Sequence, residues 1–302
     1  MEIGLVGLGR MGYNLALNMV SHGHKVVAYN RSPEKVRAAE KDGVLGAYSP
    51  RELAEKLTSP RIVWLMVPAG GAVDEMLDAL IPFLSPGDII IDGGNSHYQD
   101  SLRRYDALKE KGLRFADVGT SGGVEGARHG ICAMVGAEPE VFRIIEPLLR
   151  DISVEQGYLH TGPVGSGHFT KMVHNGIEYG MLQAMGEGFE LLARGPFDLD
   201  LEAVARVWNH GSVIRGWLMA LMERAFRKDP RLEGIRGVVH SSGEGLWTAK
   251  AALDLGIPAP IITVSLFMRY RSEQEDSFAG KVIAALRREF GGHPAEPSTS
   301  TS

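Results

Sequence analysis

Five side chains that can ionise or form hydrogen bonds recur at helical spacing near the middle of the chain. They are Lys171, His174, Asn175, Glu178 and Tyr179, at positions i, i+3, i+4, i+7 and i+8. In an α-helix these positions share one face. A solvated face is ordinarily filled with Lys, Glu and Gln, and an amine, imidazole, amide, carboxyl and phenol together are not typical of one. The stripe therefore predicts a catalytic surface, with an ordinary amphipathic helix as the alternative.

Composition and charge exclude several classes of protein. A chain of 302 residues with 44% hydrophobic and 23% charged residues is ordinary for a globular protein of about two domains. A formal net charge of −5 argues against a general nucleic-acid binder or an anionic-membrane binder. Cys132 is the single cysteine, which excludes an intramolecular disulfide and fits a reducing compartment. Since no run approaches ~18 apolar residues, we expect a cytoplasmic protein that neither spans nor binds a membrane.

The spacing of apolar runs predicts the fold of the first half. Runs that alternate with helical patterns indicate βαβ units and a mostly parallel sheet. The strands are expected at 3–6, 26–29, 62–67, 89–92, 114–118, 131–135 and 158–161. This pattern is typical of a Rossmann-like, doubly wound α/β sheet.

The apolar period becomes helical in the second half. Helices are expected at 166–194, 201–210, 213–226, 246–255, 260–269 and 276–290. We therefore predict a nucleotide-binding Rossmann domain at 1–163 and an all-α substrate and oligomerisation domain at 164–293. The Pro-, Ser- and Thr-rich residues 294–302 are expected to form a disordered tail.

A glycine-rich turn follows the first predicted strand and opens a helix. It comprises Gly7, Leu8, Gly9, Arg10, Met11 and Gly12. In this context the G-x-G-x-x-G pattern lets backbone amides approach a pyrophosphate at a helix N-terminus. A dinucleotide site is favoured, and a tight turn that simply requires glycine is the alternative.

The end of the second strand bears on the choice of cofactor. Asn30, Arg31 and Ser32 stand where an NAD enzyme usually places a carboxylate for the ribose hydroxyls. A guanidinium and a hydroxyl suit a 2′-phosphate instead, so the sequence favours NADP over NAD. A solvated loop arginine is the alternative interpretation of Arg31.

Three further loops lie where strands are predicted to end. The first begins with Val67, Pro68 and Ala69, the second contains Asn95, and the third contains Ser121, Gly122 and Gly123. Open α/β sheets bind ligands beyond the carboxyl ends of their strands. The Asn95 amide both donates and accepts, so it could bridge nicotinamide and substrate, and the third loop could present N–H groups and a hydroxyl to a carboxylate. Each loop could also be an ordinary turn.

Together these motifs resemble the decarboxylating 6-phosphogluconate dehydrogenases, within the β-hydroxyacid dehydrogenase superfamily. The resemblance is carried by GLGRMG at 7–12, DGGNS at 92–96, SGG at 121–123 and, above all, GHFTKMVHNGIEYG at 167–180. It continues through GEGLWTA at 243–249 and RREFGGH at 287–293. The chain is similar to the short form of these enzymes, which lacks the second helical repeat of the long form.

The resemblance implies an activity and two proton-transfer residues. The activity is oxidative decarboxylation of 6-phosphogluconate to ribulose 5-phosphate and CO₂ with reduction of NADP or NAD, in the pentose phosphate pathway and gluconate utilisation. By resemblance, Lys171 is the base that takes the 3-hydroxyl proton and Glu178 is the acid that protonates the enol carbon. Seven helical residues rise ~10 Å, so both side chains could reach one sugar acid. Because lysine ordinarily titrates near ~10.4, we predict a lowered pKa for Lys171.

The resemblance also implies substrate contacts and an oligomer. Carboxylate binding falls to Ser121, Gly122 and Gly123, hydroxyl binding to Asn95, His174 and Asn175, and phosphate binding to Tyr179 and Arg269. Arg287 and His293 match a C-terminal pair that reaches the site of a neighbouring subunit, which implies a homo-oligomer, either a dimer or a tetramer. Ser242, Glu244 and Leu246 depart from the long-form pattern, so the manner of phosphate binding is open.

Two alternative functions remain at this stage. Another β-hydroxyacid dehydrogenase, of the 3-hydroxyisobutyrate or tartronate-semialdehyde type, would share the nucleotide fold, the S-G-G loop and the lysine. The H-N-G-I-E-Y run and the G-G-N-S loop argue against it. An NADP-binding module without activity would not need Lys171 and Glu178. We expect no metal, because His168 and His174 lack the i, i+4 spacing of a zinc pair.

Overall fold

The computed structural model describes residues 1–291 together with Pro294 and Glu296. The chain divides into two compact units, unit 1 at Met1–Ile177 and unit 2 at Glu178–Ser302. His293 and, apart from Pro294 and Glu296, the predicted tail lie outside the described residues. The predicted domain boundary at 163 and 164 stays a prediction.

Unit 1 is built on one mixed sheet. Its described strands are β1 (Glu2–Val6), β2 (Lys25–Tyr29), β3 (Leu45–Ala47), β4 (Ile62–Leu65), β5 (Ile89–Asp92), β6 (Arg114–Ser121), β7 (Ile131–Ala137) and β8 (Ser153–Gly162). Their order is β3-β2-β1-β4-β5-β6-β7-β8, and each neighbouring pair is parallel except the antiparallel pair β6 and β7. The first six strands follow the order of the doubly wound nucleotide-binding fold. The predicted fold class is confirmed.

Helices cover both faces of this sheet. They are α1 (Arg10–Ser21), α2 (Pro33–Glu40), α3 (Pro50–Glu55), α4 (Gly71–Leu80), α5 (Tyr98–Lys109), α6 (Gly123–His129) and α7 (Pro139–Ile152), with a short 3-10 helix at Ile81–Phe83. Successive strand residues point into different apolar clusters: Trp64 lies in one cluster, and Val63 and Leu65 lie in the other. Because both faces are buried, the strands read as continuous apolar runs.

Unit 2 is helical. Helix α8 (Ser166–Arg194) begins in unit 1 and continues into unit 2, which also contains α9 (Leu201–Asn209), α10 (Trp217–Lys228), α11 (Glu244–Asp254), α12 (Pro260–Ser272) and α13 (Phe278–Gly291). Phe189, Met219 and Phe226 belong to one apolar cluster of this unit. In the part of the chain that the structure describes, no helix has the length and apolar character needed to cross a membrane.

Candidate active site

The glycine-rich turn places three glycines in different surroundings. Gly7 has φ +99°, and a Cβ added there would lie 2.4 Å from the Met66 carbonyl oxygen. A Cβ added at Gly12 would lie 2.0 Å from the Gly7 carbonyl oxygen. At Gly9 an added Cβ would meet no described atom within 4 Å beyond its chain neighbours and its own helix. The fold therefore requires Gly7 and Gly12, whereas Gly9 leaves open space that fits the close approach of a phosphate.

The same turn is anchored to the end of β2. The backbone N–H of Leu8 donates to Asn30 Oδ1 at 2.9 Å, and the N–H of Gly7 donates to the Tyr29 carbonyl at 2.9 Å. Leu8 is itself buried in the apolar core. Among the predicted cofactor residues, Leu8 and Asn30 thus hold the turn in place.

Two adjoining cavities bring the remaining predicted cofactor residues together. One, of about 470 Å³, is lined by Gly7, Asn30, Arg31, Ser32, Lys35 and Pro50, among others. The other, of about 410 Å³, is lined by Arg10, Met11, Gly12, Ala69, Asn95 and Thr120, among others. Gly9, Val67 and Pro68 line both cavities. These residues fit a dinucleotide lying across the carboxyl ends of the strands.

Lys35 lines the first cavity but was not among the predicted residues. It follows Arg31 by four positions, and both side chains are exposed. A second cation in the first turn of α2, shortly after Arg31, was the signal that could have identified it. Arg31, Ser32 and Lys35 together form a basic and hydroxylic surface suited to a phosphate.

A buried arginine joins the loops that follow β4 and β5. Arg104 donates to Asp92 Oδ2 at 3.3 Å and to the Gly70 carbonyl at 2.9 Å. Ser96 Oγ donates to the same Asp92 oxygen at 2.7 Å. Arg104 also binds Asp74 at 2.8 Å, and this hydrogen bond lowers the pKa of Asp74. The loop that carries Asn95 is therefore fixed at both ends by buried polar contacts.

Lys171 lies in a hydrogen-bonded network on α8. Its side chain is buried, with 6% exposure, and Nζ donates to Asn175 Oδ1 at 2.9 Å. His174 Nδ1 lies 2.9 Å from the same oxygen, and its Nε2 lies 3.3 Å from Ser121 Oγ. His174 therefore joins Asn175 to the Ser121 hydroxyl through its two ring nitrogens. Four predicted site residues are thus brought together, and the Lys171 side chain is largely shielded from solvent.

The strand beneath this network has no room for a side chain at Gly119. A Cβ added at Gly119 on β6 would lie 2.3 Å from Lys171 Cβ and 3.0 Å from the Gly167 carbonyl oxygen. At the end of β6, Gly122 has φ +110° and Gly123 has φ +60°. These positive φ values, which glycine adopts readily, turn the chain from β6 into α6.

The predicted phosphate-binding residues of unit 2 cluster around Tyr179. The Arg269 guanidinium lies 3.4 Å from the centroid of the Tyr179 ring, and Arg269 Nη1 donates to the His240 carbonyl at 3.2 Å. The backbone N–H of Ser242 donates to the Tyr179 hydroxyl at 3.3 Å. Stacking of the guanidinium on the aromatic ring holds the cation beside the phenol. Arg287 lies exposed on α13, and Glu178 is half-buried on α8.

The sequence departures lie in the same part of unit 2. Glu244 begins α11 and is buried. Leu246 packs against the apolar cluster of Tyr179, Ala249 and Leu266. Apolar contacts therefore account for Leu246, and burial keeps the Glu244 carboxyl away from bulk water.

Family profiles match both parts of the chain. The profile described as the NAD binding domain of 6-phosphogluconate dehydrogenase matches residues 2–162. The profile described as 6-phosphogluconate dehydrogenase, C-terminal domain, matches residues 167–288. The chain belongs to the 6-phosphogluconate dehydrogenase family. The resemblance recognised in the sequence is confirmed.

Members of this family are similar to the chain over its length. The protein YqeC of Bacillus subtilis is 56% identical over 98% of this chain and 99% of its own. The NAD(+)-dependent, decarboxylating 6-phosphogluconate dehydrogenase of Haloferax volcanii is 44% identical over 97% of this chain and 98% of its own. A solved 6-phosphogluconate dehydrogenase of Plasmodium falciparum superimposes with a TM-score of 0.83 at 32% identity. That alignment covers 99% of this chain and 67% of the Plasmodium chain.

Proposed function

We propose that the protein oxidatively decarboxylates 6-phosphogluconate to ribulose 5-phosphate and CO₂, with NADP or NAD as the oxidant, as a cytoplasmic step of the pentose phosphate pathway. The observation that carries this proposal is the buried Lys171, which hydrogen bonds to Asn175 next to His174 and Ser121. The Haloferax relative, named as a decarboxylating enzyme, supports the same reaction at 44% identity.

Two side chains of α8 would move the protons. Lys171, in its neutral form, takes the proton of the 3-hydroxyl and, once protonated, polarises the resulting carbonyl while CO₂ leaves. Glu178 then delivers a proton to the enol carbon. NADP or NAD, when bound, supplies the hydride acceptor. The residues that would hold it line the two cavities at the strand ends, with Gly9 leaving the space that a phosphate needs.

The remaining site residues would orient the sugar acid. Ser121, Gly122 and Gly123 bind its carboxylate, whereas Asn95, His174 and Asn175 bind its hydroxyls. Tyr179 and Arg269 face the phosphate, where Ser242 adds a hydroxyl beside the Tyr179 phenol. Arg287 reaches this end from a neighbouring subunit, and His293 is assigned with it on resemblance alone.

A direct assay tests the function. Purified protein is mixed with 6-phosphogluconate and either NADP or NAD, and reduced cofactor and released CO₂ are both measured. The proposal expects the two products in equal amounts. Cofactor reduction without CO₂ release would favour another β-hydroxyacid dehydrogenase, and cofactor binding without turnover would favour a binding module.

Replacement of Arg31 tests the preference for NADP. Arg31→Ala should raise the KM for NADP by about 10- to 100-fold, because a charged hydrogen bond contributes about 1.5–3 kcal/mol. The KM for NAD should change far less. Arg37→Ala is the matched control, since Arg37 is an exposed arginine on α2 that pairs with Glu34. Equal changes in both KM values would contradict the assignment of Arg31 to a 2′-phosphate.

An exposed apolar face supports the proposed homo-oligomer. Phe278, Val282, Ile283 and Leu286 recur on α13 at i, i+4, i+5 and i+8, and all four are exposed. These spacings place them along one stripe of the helix. A contiguous exposed apolar stripe marks an interaction surface. We assign a second copy of the chain as its occupant, which brings Arg287 on the same helix to the neighbouring site.

A charge placed on this stripe tests the oligomer. Ile283→Asp should raise the dissociation constant of the oligomer by about 100-fold or more, because association would bury an unpaired carboxylate. Sedimentation velocity over a concentration series measures the change. Leu159→Asp on β8 is the matched control, since Leu159 and Ile283 are 64% and 59% exposed. A wild-type protein that sediments as a monomer at every concentration would rule out the proposal.

A further inference from the structure

A buried carboxylate on β6 holds the beginning of α8, the helix that carries Lys171. Asp117 has 0% exposure. Its Oδ1 accepts the backbone N–H of Gly165 at 2.6 Å, and its Oδ2 accepts the backbone N–H of His168 at 2.7 Å. The first N–H groups of a helix have no partners within the helix, and capping side chains usually come from the residue just before it. Here the cap comes from a strand 48 and 51 positions away in the sequence.

The contact between α8 and the sheet is made by backbone. A Cβ added at Gly167 would lie 2.4 Å from the Asp117 carbonyl oxygen. One added at Gly136 on β7 would lie 2.4 Å from Asp117 Oδ1 and 2.8 Å from the Gly167 nitrogen. At Gly136 and Gly167 the glycines themselves add no side chain that could absorb a displacement. A shift of the first turn of α8 is therefore transmitted along the helix to Lys171, whose Cβ faces Gly119.

We propose that Asp117 is a positioning residue for proton transfer: its hydrogen bonds to Gly165, just before α8, and to His168, in the first turn of α8, fix the position of Lys171 relative to β6. Lys171 follows His168 by three residues, which is about one helical turn. With the helix held in this position, the Lys171 amine donates to Asn175 Oδ1 at 2.9 Å. The catalytic consequence rests on the proposed function, while the positional claim concerns the folded protein alone.

The surroundings of Asp117 act on its carboxyl in two directions. Burial raises the pKa of the Asp117 carboxyl, and the opposing effects of His168 and of the backbone N–H groups offset this rise only in part. His168 is also buried, and its Nδ1 lies 2.7 Å from Ser101 Oγ. Charge-assisted hydrogen bonds at a helix N-terminus stabilise a carboxylate. The arrangement therefore favours two short bonds to α8 over a looser, solvated contact.

Asp117→Asn tests the proposal, with Asp88→Asn as its matched control. Asparagine retains one acceptor oxygen but presents an NH₂ group to the second N–H donor. Asp88 also has 0% exposure and accepts the backbone N–H groups of Ser85 at 2.9 Å and Arg61 at 2.7 Å, but it precedes β5, at the other end of this strand from Asp92. Both variants should lower Tm, because each leaves a buried donor poorly paired.

Only Asp117→Asn should change catalysis. Its kcat for 6-phosphogluconate should fall by about 100-fold, the cost expected of a displacement near 1 Å, and the limb of its pH–rate profile on which the rate rises with pH should move. Its Kd for NADPH, measured by fluorescence, should stay near that of the wild type because Asp117 lines neither cofactor cavity. A wild-type kcat and pH profile in Asp117→Asn, with a Tm loss like that of Asp88→Asn, would overturn the proposal.

A readout independent of turnover separates this proposal from the proposed function. The rate at which an amine-reactive reagent modifies Lys171, followed by peptide mapping, should change severalfold in Asp117→Asn and not in Asp88→Asn. If the wild-type protein does not oxidise 6-phosphogluconate, the proposed function fails. The rate of Lys171 modification would still decide whether Asp117 positions Lys171. If the Asn variant does not fold, Asp117→Glu takes its place: it keeps the charge but displaces the carboxyl by one methylene, so its labelling rate should also change. An unchanged labelling rate would overturn the claim.

Discussion

Lys171→Met will lower kcat for 6-phosphogluconate by about 10²- to 10⁴-fold, the usual contribution of a general base. Methionine fills a similar volume but cannot take the hydroxyl proton. Because a base must be neutral to act, wild-type kcat/KM should rise with pH as Lys171 loses its proton, and this rise should be absent in the variant. Steady-state kinetics across pH, with Tm and NADPH binding as checks on folding, measure both effects.

The control for this experiment is an exposed lysine. Lys109→Met on α5 removes an amine that is 64% exposed and lies 3.7 Å from Glu138. Its kinetics should match those of the wild type. If Lys171→Met retained the wild-type rate and the wild-type rise of kcat/KM with pH, Lys171 would not be the base. The lowered pKa of Lys171 stays a prediction that the same profile tests, since burial of an amine disfavours its charged form.

Glu178→Gln will lower kcat by about 10²- to 10⁴-fold, with a smaller effect on KM. The amide keeps the shape of the side chain but cannot deliver a proton to the enol carbon. Deuterium incorporation at C1 of the product, with the reaction run in D₂O, should slow in proportion to kcat. A loss in kcat at a nearly constant KM separates loss of the acid from a change in substrate binding.

A second glutamate on the same helix serves as the control. Glu190 is exposed on α8 and pairs with Arg194 at 3.0 Å. Glu190→Gln should leave kcat within about twofold of the wild type, since exposed ion pairs contribute little. Equal losses in the two variants would mean that α8 has been destabilised, and an unchanged Glu178→Gln would remove Glu178 from the mechanism.

Local patterns were sufficient to predict the sheet, most helices and the glycine-rich turn. The strands are buried on both faces, so their apolar runs are long enough to recognise. Strand β3 was missed because Leu45, Gly46 and Ala47 make too short a run to show a period. The helix predicted from residue 213 begins at Trp217, after a turn in which the Gly216 N–H donates to Asn209.

The residues that position the site could not be predicted in the same way. Arg104 and Asp117 act through contacts between positions far apart in the chain, which depend on the strand order. A charged residue inside an apolar run, as in F-A-D-V-G at 115–119, was the available signal. The stripe on α8, proposed as catalytic, was recognisable because its members share one helix, whereas Asp117 contacts α8 from β6 and Arg104 fixes the Asn95 loop from α5.

The crossing of α8 over β6 and β7 also restricts how such an enzyme can evolve. At Gly119, Gly136 and Gly167, even a methyl group would come within 2.3 to 2.4 Å of another atom. Single mutations there disturb the helix and the sheet together, so a lineage that acquires a new substrate has to leave this crossing unchanged. Ser242 differs from these glycines, because its backbone N–H donates to the Tyr179 hydroxyl and another side chain at position 242 would keep that donor.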